Sequence, residues 1–79
     1  MKLKDIITID PEIVSGTPVF TGTRVPIQSL FWHLEKGILI DEFLEDFPSV
    51  KREQIYALLE IVGKSFTSKK TIQFYETAA

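Results

Sequence analysis

The chain has no cysteine, a single histidine (His33) and no apolar run long enough to cross a bilayer. Without cysteine there is neither a disulfide nor a thiolate metal site, the usual supports of a small fold. One imidazole cannot build a zinc site with the common ligands. The apolar residues Ile6, Ile7 and Ile9 are too few for the hydrophobic region of a signal peptide, and Asp10-Pro11 ends them. The expectation is a cytoplasmic protein with no membrane contact, no metal and no cofactor. An excess of positive charge is missing as well. Nine Lys and Arg against eleven Asp and Glu leave a net charge of −2. The pI of 5.3 lies well below the value above about 9 that marks a basic DNA-binding domain.

What is present fits one domain of 79 residues. A chain of this length buries only about 60–65% of the surface its unfolded form exposes, so its core is marginal. With no disulfide or metal to help, association is the remaining source of stability, and a homodimer is expected.

The patterning predicts strands at about 6–9 and 18–21, forming a loose N-terminal β-hairpin whose tip is residues 10–17. Gly16 and Gly22 mark turns that need permissive backbone, and Pro18 opens the second strand. Pro26 opens a helix over 26–36, in which Ile27, Leu30, Phe31 and Leu34 share one buried face and Gly37 ends it. A second helix over 40–47 carries Ile40, Phe43, Leu44 and Phe47 inward, with Asp41 and Glu42 in its first turn. A third covers 50–64, with Ile55, Leu58, Leu59, Val62 and then Phe66 on one stripe, and Gly63 weakening its end. Residues 1–66 are read as the domain. Residues 67–79 form a tail in which Thr71-Ile72-Gln73-Phe74-Tyr75 looks strand-like.

Several blocks together resemble a known family. They are Asp10-Pro11, Ser15-Gly16-Thr17-Pro18-Val19-Phe20, Thr21-Gly22-Thr23-Arg24-Val25-Pro26, Gly37, the acidic stretch Asp41 to Pro48, and the apolar helix from Ile55. Over roughly residues 6–65 they are similar to the bacterial domain of unknown function 433, whose members are commonly described as VapB-like antitoxins. The most specific part is Gly22-Thr23-Arg24-Val25-Pro26. The resemblance implies a mainly α fold, in which a short β-hairpin precedes a three-helix, homeodomain-like bundle of helix-turn-helix type. It also implies an antitoxin of a type II toxin–antitoxin pair, with a PIN-like ribonuclease as partner and operator DNA as a second ligand. Two departures stand out. The family usually has two glycines where this chain has Ser15-Gly16. Helix caps are replaced by Leu39 and Lys51, the second of which Ser49 could offset by starting the helix earlier.

In a helix-turn-helix the second helix of the pair reads the major groove. The DNA-contact candidates are therefore Lys51, Arg52 and Gln54, with Arg24 in the specific block; Arg24 also reads as a structural arginine on a carboxylate or strand-end carbonyls. Against DNA readout, helical spacing places Glu53, Ala57, Glu60 and Lys64 opposite the buried stripe, as in a solvated face. The alternative to the antitoxin reading is a dimeric protein-interaction domain that kept the scaffold and lost DNA binding. The acidic run Asp41–Asp46 reads either as a solvated, dipole-complementing face or as a surface that docks on a basic nuclease groove. Partner and dimer-interface candidates are Trp32, Ile38, Leu39, Phe74 and Tyr75. No nucleophile–base pair, metal cluster or phosphate loop is recognisable, so neither an enzyme nor a small-molecule substrate is expected.

Overall fold

Phe20 and Phe43 meet at the centre of the molecule with ring centroids 6.3 Å apart, and the remaining elements are arranged around this pair. The computed structural model describes residues 1–78. In chain order it contains α1 (Leu3–Ile6), β1 (Ile7–Thr8), β2 (Val19–Phe20), α2 (Ile27–Glu35), α3 (Ile40–Asp46), α4 (Arg52–Thr67) and α5 (Lys69–Ala78). The chain is mainly helical, with one small antiparallel sheet in its N-terminal part that pairs Ile7 with Phe20 and Thr8 with Val19.

The sheet is shorter than its sequence pattern predicts. Ile6 ends the one-turn helix α1, closed by the Lys2 N–H donating to the Asp5 carboxylate at 2.9 Å. Ile9 lies outside the sheet and is exposed. Between the strands, the Glu12 N–H donates to the Asp10 carboxylate at 2.9 Å, an Asx turn that accounts for Asp10-Pro11. A 3-10 turn over Val14–Gly16 follows.

Pro26 caps α2 rather than forming its first turn, and also bridges to Val19. Gly37, at φ +76°, ends α2 in a Schellman arrangement. Its N–H donates to Leu34 O at 3.0 Å, and that of Ile38 to His33 O at 2.9 Å. Leu30, Phe43, Val50, Ile55 and Leu58 join Ile6, Val19 and Phe20 as the buried apolar core. His33 packs edge-on against Phe43 and Phe47, while its Nδ1 lies 2.6 Å from Ser29 O.

Five α-helices, not three, occur among the described residues. Ser49 is exposed and does not cap α4; the helix starts at Arg52, where Gln54 Oε1 accepts the Lys51 N–H at 3.0 Å. The helix also runs past the expected end at residue 64 and continues to Thr67. Phe66, expected on the buried stripe, is 73% exposed.

The strand-like reading of 71–75 is corrected as well. Ser68 Oγ accepts the Thr71 N–H at 3.3 Å and restarts the chain as α5. Thr71, Ile72, Phe74, Tyr75 and Ala78 then fall on one helical face. Composition favours a strand in this segment, but the period is that of a helix.

Candidate functional site

The specific block Thr21–Pro26 is a loop held by its own hydroxyls. Thr21 Oγ1 donates to Lys4 O at 2.7 Å and lies 2.9 Å from Thr8 Oγ1. Thr23 Oγ1 donates to Phe20 O at 2.8 Å and accepts the Val25 N–H at 3.0 Å. The Phe20 N–H donates to Val25 O at 3.0 Å, and Ile27 donates to Pro18 O at 2.9 Å. Gly22 supplies the positive φ of +83° on which the tight reversal depends. Gly16 does the same at φ +82°, its position for a Cβ lying 3.9 Å from Pro11 Cα.

The product of this loop is the placement of Arg24. Its side chain is exposed and makes no ion pair or side-chain hydrogen bond among the described residues. The structural-arginine reading is therefore corrected: the hydroxyls of Thr21 and Thr23 hold the loop, and the guanidinium is free. It stands at an open concavity of about 420 Å³ lined also by Thr8, Ile13, Thr23 and Ser49.

The DNA-contact candidates on α4 part company. Gln54 is 3% exposed and fully engaged. Its Nε2 donates to Asp5 O and to Thr21 O, both at 3.0 Å, while Oε1 takes the Lys51 N–H. It is a strut between α4, α1 and the Thr21 loop, and no donor remains for a base. Lys51 is exposed and makes no ion pair among the described residues. Arg52 is exposed but occupied, with Nη2 2.6 Å from the Asp41 carboxylate and Nη1 donating to Tyr56 Oη at 3.2 Å. These hydrogen bonds, to Tyr56 first and Asp41 second, raise the guanidinium above its ordinary value.

The rest of the outward face of α4 carries Glu53, Tyr56, Glu60 and Lys64. Glu60 and Lys64 pair at 2.9 Å, which holds the Glu60 carboxyl below its usual range. Ala57, expected on this face, is half-buried against the core.

The apolar candidates lie on two surfaces. On the first, Ile38 is half-buried and Leu39 is 63% exposed in the α2–α3 turn. With Leu34, Asp41, Arg52 and Tyr56 they line a groove of about 440 Å³. Trp32 is exposed on α2. The acidic residues Asp41, Glu42, Glu45 and Asp46 are all exposed, and only Asp41 is paired among the described residues.

The second surface is α5, where no residue is buried and Ile72, Phe74 and Tyr75 are exposed. Neither helical phase nor residue type singles out Tyr56 or the Thr21 hydroxyl, because neither reports which ring or hydroxyl faces a neighbouring element.

Among the described residues no helix is long and apolar enough to cross a membrane. A family model described as "Protein of unknown function (DUF433)" matches residues 7–60, which takes in the Thr21 loop and the first half of α4 and leaves α5 outside. The chain is 38% identical over 52 residues to "Uncharacterized protein y4eO" of Sinorhizobium fredii (strain NBRC 101917 / NGR234). That match covers 66% of this chain and 24% of the relative, so the chain spans about a quarter of the relative's length. No solved structure matches.

Proposed function

The chain belongs to the DUF433 family of unknown function, and from that premise we propose that it is an antitoxin-like module that acts by protein contact, with α5 as its partner-binding element. The observation that carries this reading is α5 itself. It is a ten-residue helix with no buried residue, carrying Ile72, Phe74 and Tyr75 on one exposed face. Helices this short are marginal in water on their own and draw their stability from packing. An amphipathic helix laid into an apolar groove is a recurring mode of protein recognition.

The partner proposed is a PIN-like ribonuclease encoded beside this chain, and the compartment is the cytoplasm. The acidic residues Glu42, Glu45 and Asp46 are free to complement a basic RNA-binding groove. Helices α2, α3 and α4 are read as a homeodomain-like, helix-turn-helix scaffold. Gln54 is buried, Arg52 is held by Asp41, and Glu53 and Glu60 face outward. These features favour a scaffold whose operator contact is at most a phosphate contact by Lys51 and Arg24. The module is proposed to have no catalytic activity of its own.

Co-expression with the neighbouring ribonuclease, purification of the complex and an RNA-cleavage assay test the reading. A complex that suppresses cleavage, and that Phe74→Ala/Tyr75→Ala disrupts while leaving the helical content intact, is the expected result. Absence of a complex, or one indifferent to that double substitution, overturns the assignment of α5.

A further inference from the structure

Along one flank of α4, between its buried and outward faces, residues Arg52, Tyr56, Leu59, Gly63 and Phe66 recur at spacings of four, three, four and three. That is the repeat of a helix–helix seam. Tyr56 is 53% exposed, Phe66 is 73% exposed, Leu59 is half-buried, and a Cβ added to Gly63 would meet nothing within 4 Å. This glycine lies inside a helix between a leucine and a phenylalanine, and neither a positive φ nor a close approach within the chain requires it. We propose that this stripe is the seam of a two-fold homodimer with antiparallel α4 helices. In it, Leu59 of each copy packs over Gly63 of the other, and Phe66 of each copy enters the groove beside Tyr56 and Leu39 of the other.

Two observations select a second copy of this chain as the occupant. The first is self-complementarity, which a two-fold interface requires. When the helix is reversed about a point midway between Leu59 and Gly63, Leu59 faces Gly63 and Tyr56 faces Phe66. Phe66 lies about 15 Å along α4 from Tyr56, so it reaches the end of the second copy where the groove of Leu34, Ile38, Leu39 and Tyr56 opens. Each copy thus supplies one knob and one groove, and the assembly closes at two.

A parallel arrangement would set Gly63 against Gly63 and would leave both grooves empty.

The second is area. The accessible surface is 5953 Å², about 1,100 Å² more than the roughly 4,850 Å² that a folded monomer of 9.0 kDa exposes. The radius of gyration, 14.3 Å, likewise exceeds the value of about 12 Å for a compact chain of this length. That excess is shared between the α4 stripe and α5, which buries no residue, and in total it exceeds the roughly 800 Å² per partner that a stable interface of standard size buries. The seam lies on α4 and is separate from the apolar face of α5, so it does not rest on the antitoxin reading.

The test uses the full chain without any nuclease. Sedimentation equilibrium across the micromolar range, with circular dichroism alongside, is measured for wild type, Gly63→Leu and Phe66→Ala. The expected result is a wild-type dimer whose association weakens by roughly 30-fold or more in each variant, with helicity unchanged. Phe66→Ala, at an exposed position, keeps the test decisive if Gly63→Leu loses helix. A monomeric wild type, or a dimer indifferent to Phe66→Ala, overturns the seam.

Register is read separately by cross-linking, since the chain has no cysteine of its own. Mixed Leu59→Cys and Gly63→Cys chains should oxidise to the heterodisulfide in preference to either homodisulfide. Preference for the homodisulfides would overturn the antiparallel arrangement. Phe74→Ala/Tyr75→Ala should leave association unchanged, which separates failure of the seam from failure of α5.

Discussion

Gln54 of α4 donates its side-chain amide to the backbone oxygen of Thr21, 33 residues earlier in the chain, at 3.0 Å. The second proton of the same amide goes to Asp5 O. One buried polar side chain therefore joins the long helix, the N-terminal turn and the loop that presents Arg24. Buried polar groups with every donor and acceptor used specify a geometry, and a partly satisfied one is costly.

Replacing Gln54 is accordingly a stability experiment. Gln54→Leu is expected to lower unfolding free energy by about 1–3 kcal/mol, through the carbonyls left without a donor. Gln54→Glu should be at least as damaging at neutral pH, because a carboxylate cannot donate to either carbonyl, and should recover in acid. Urea titrations at two pH values check both.

Gly22 and Gly63 should respond to alanine with opposite signs. Neither would bring a Cβ within 4 Å of another atom, so backbone conformation decides. Gly22 has φ +83° and Gly63 is helical. Gly22→Ala should cost about 1–2 kcal/mol, and Gly63→Ala should add up to about 1 kcal/mol of helix stability. Thermal melts of dilute samples, where association plays no part, make the comparison.

Val14 and Ser15 have φ of 47° and 54°, a conformation that L side chains adopt at a cost, and Gly16 follows at φ 82°. Ser15 occupies one of the positions where the family resemblance leads one to expect glycine. Ser15→Gly should raise stability by about 0.5–1 kcal/mol, the relief of the left-handed strain less the added entropy of the unfolded chain. Urea unfolding measures it.

Binding to duplex DNA, where detectable, should have a shallow salt dependence. Lys51 and Arg24 are the exposed cations of the candidate set that make no ion pair among the described residues. Two phosphate contacts per chain give a slope of log affinity against log salt of about −2 for one chain and about −4 for a dimer bound through both copies. A slope several times steeper would place the DNA contact elsewhere on the molecule.

The Glu60–Lys64 pair carries a pH signature. Lys64 holds the Glu60 carboxyl below its ordinary value, so folding is favoured while Glu60 is ionised. That contribution is complete above the unfolded carboxyl value and is lost as pH falls through the folded one. The difference in stability between wild type and Glu60→Gln should therefore vanish in acid, and salt should reduce it at neutral pH.

Helices α2 and α3 were legible because their apolar residues repeat at helical spacing and a proline and a glycine bracket α2. The turns at Asp10-Pro11 and Gly22 were legible because only a few residue types suit such backbone. The candidate site was less so. Arg24 and Gln54 look alike as polar residues in plausible places, yet one is free and the other is a strut. Phe66 has the phase of a core residue but lies past the end of the core. The segment 71–75 has the composition of a strand and the period of a helix, and Ser68 settles it by capping.

Sequence alone determined the family, the helical character, the turns and the lack of any cysteine-based support, because these depend on local propensity and residue chemistry. Tertiary structure decided which polar side chains remain available and which apolar ones remain uncovered. Those properties depend on what other elements bring to the same place. Gln54 is spent because Asp5 and Thr21 reach it, and Phe66 stays 73% exposed because the core elements that bury Ile55 and Leu58 do not bury it.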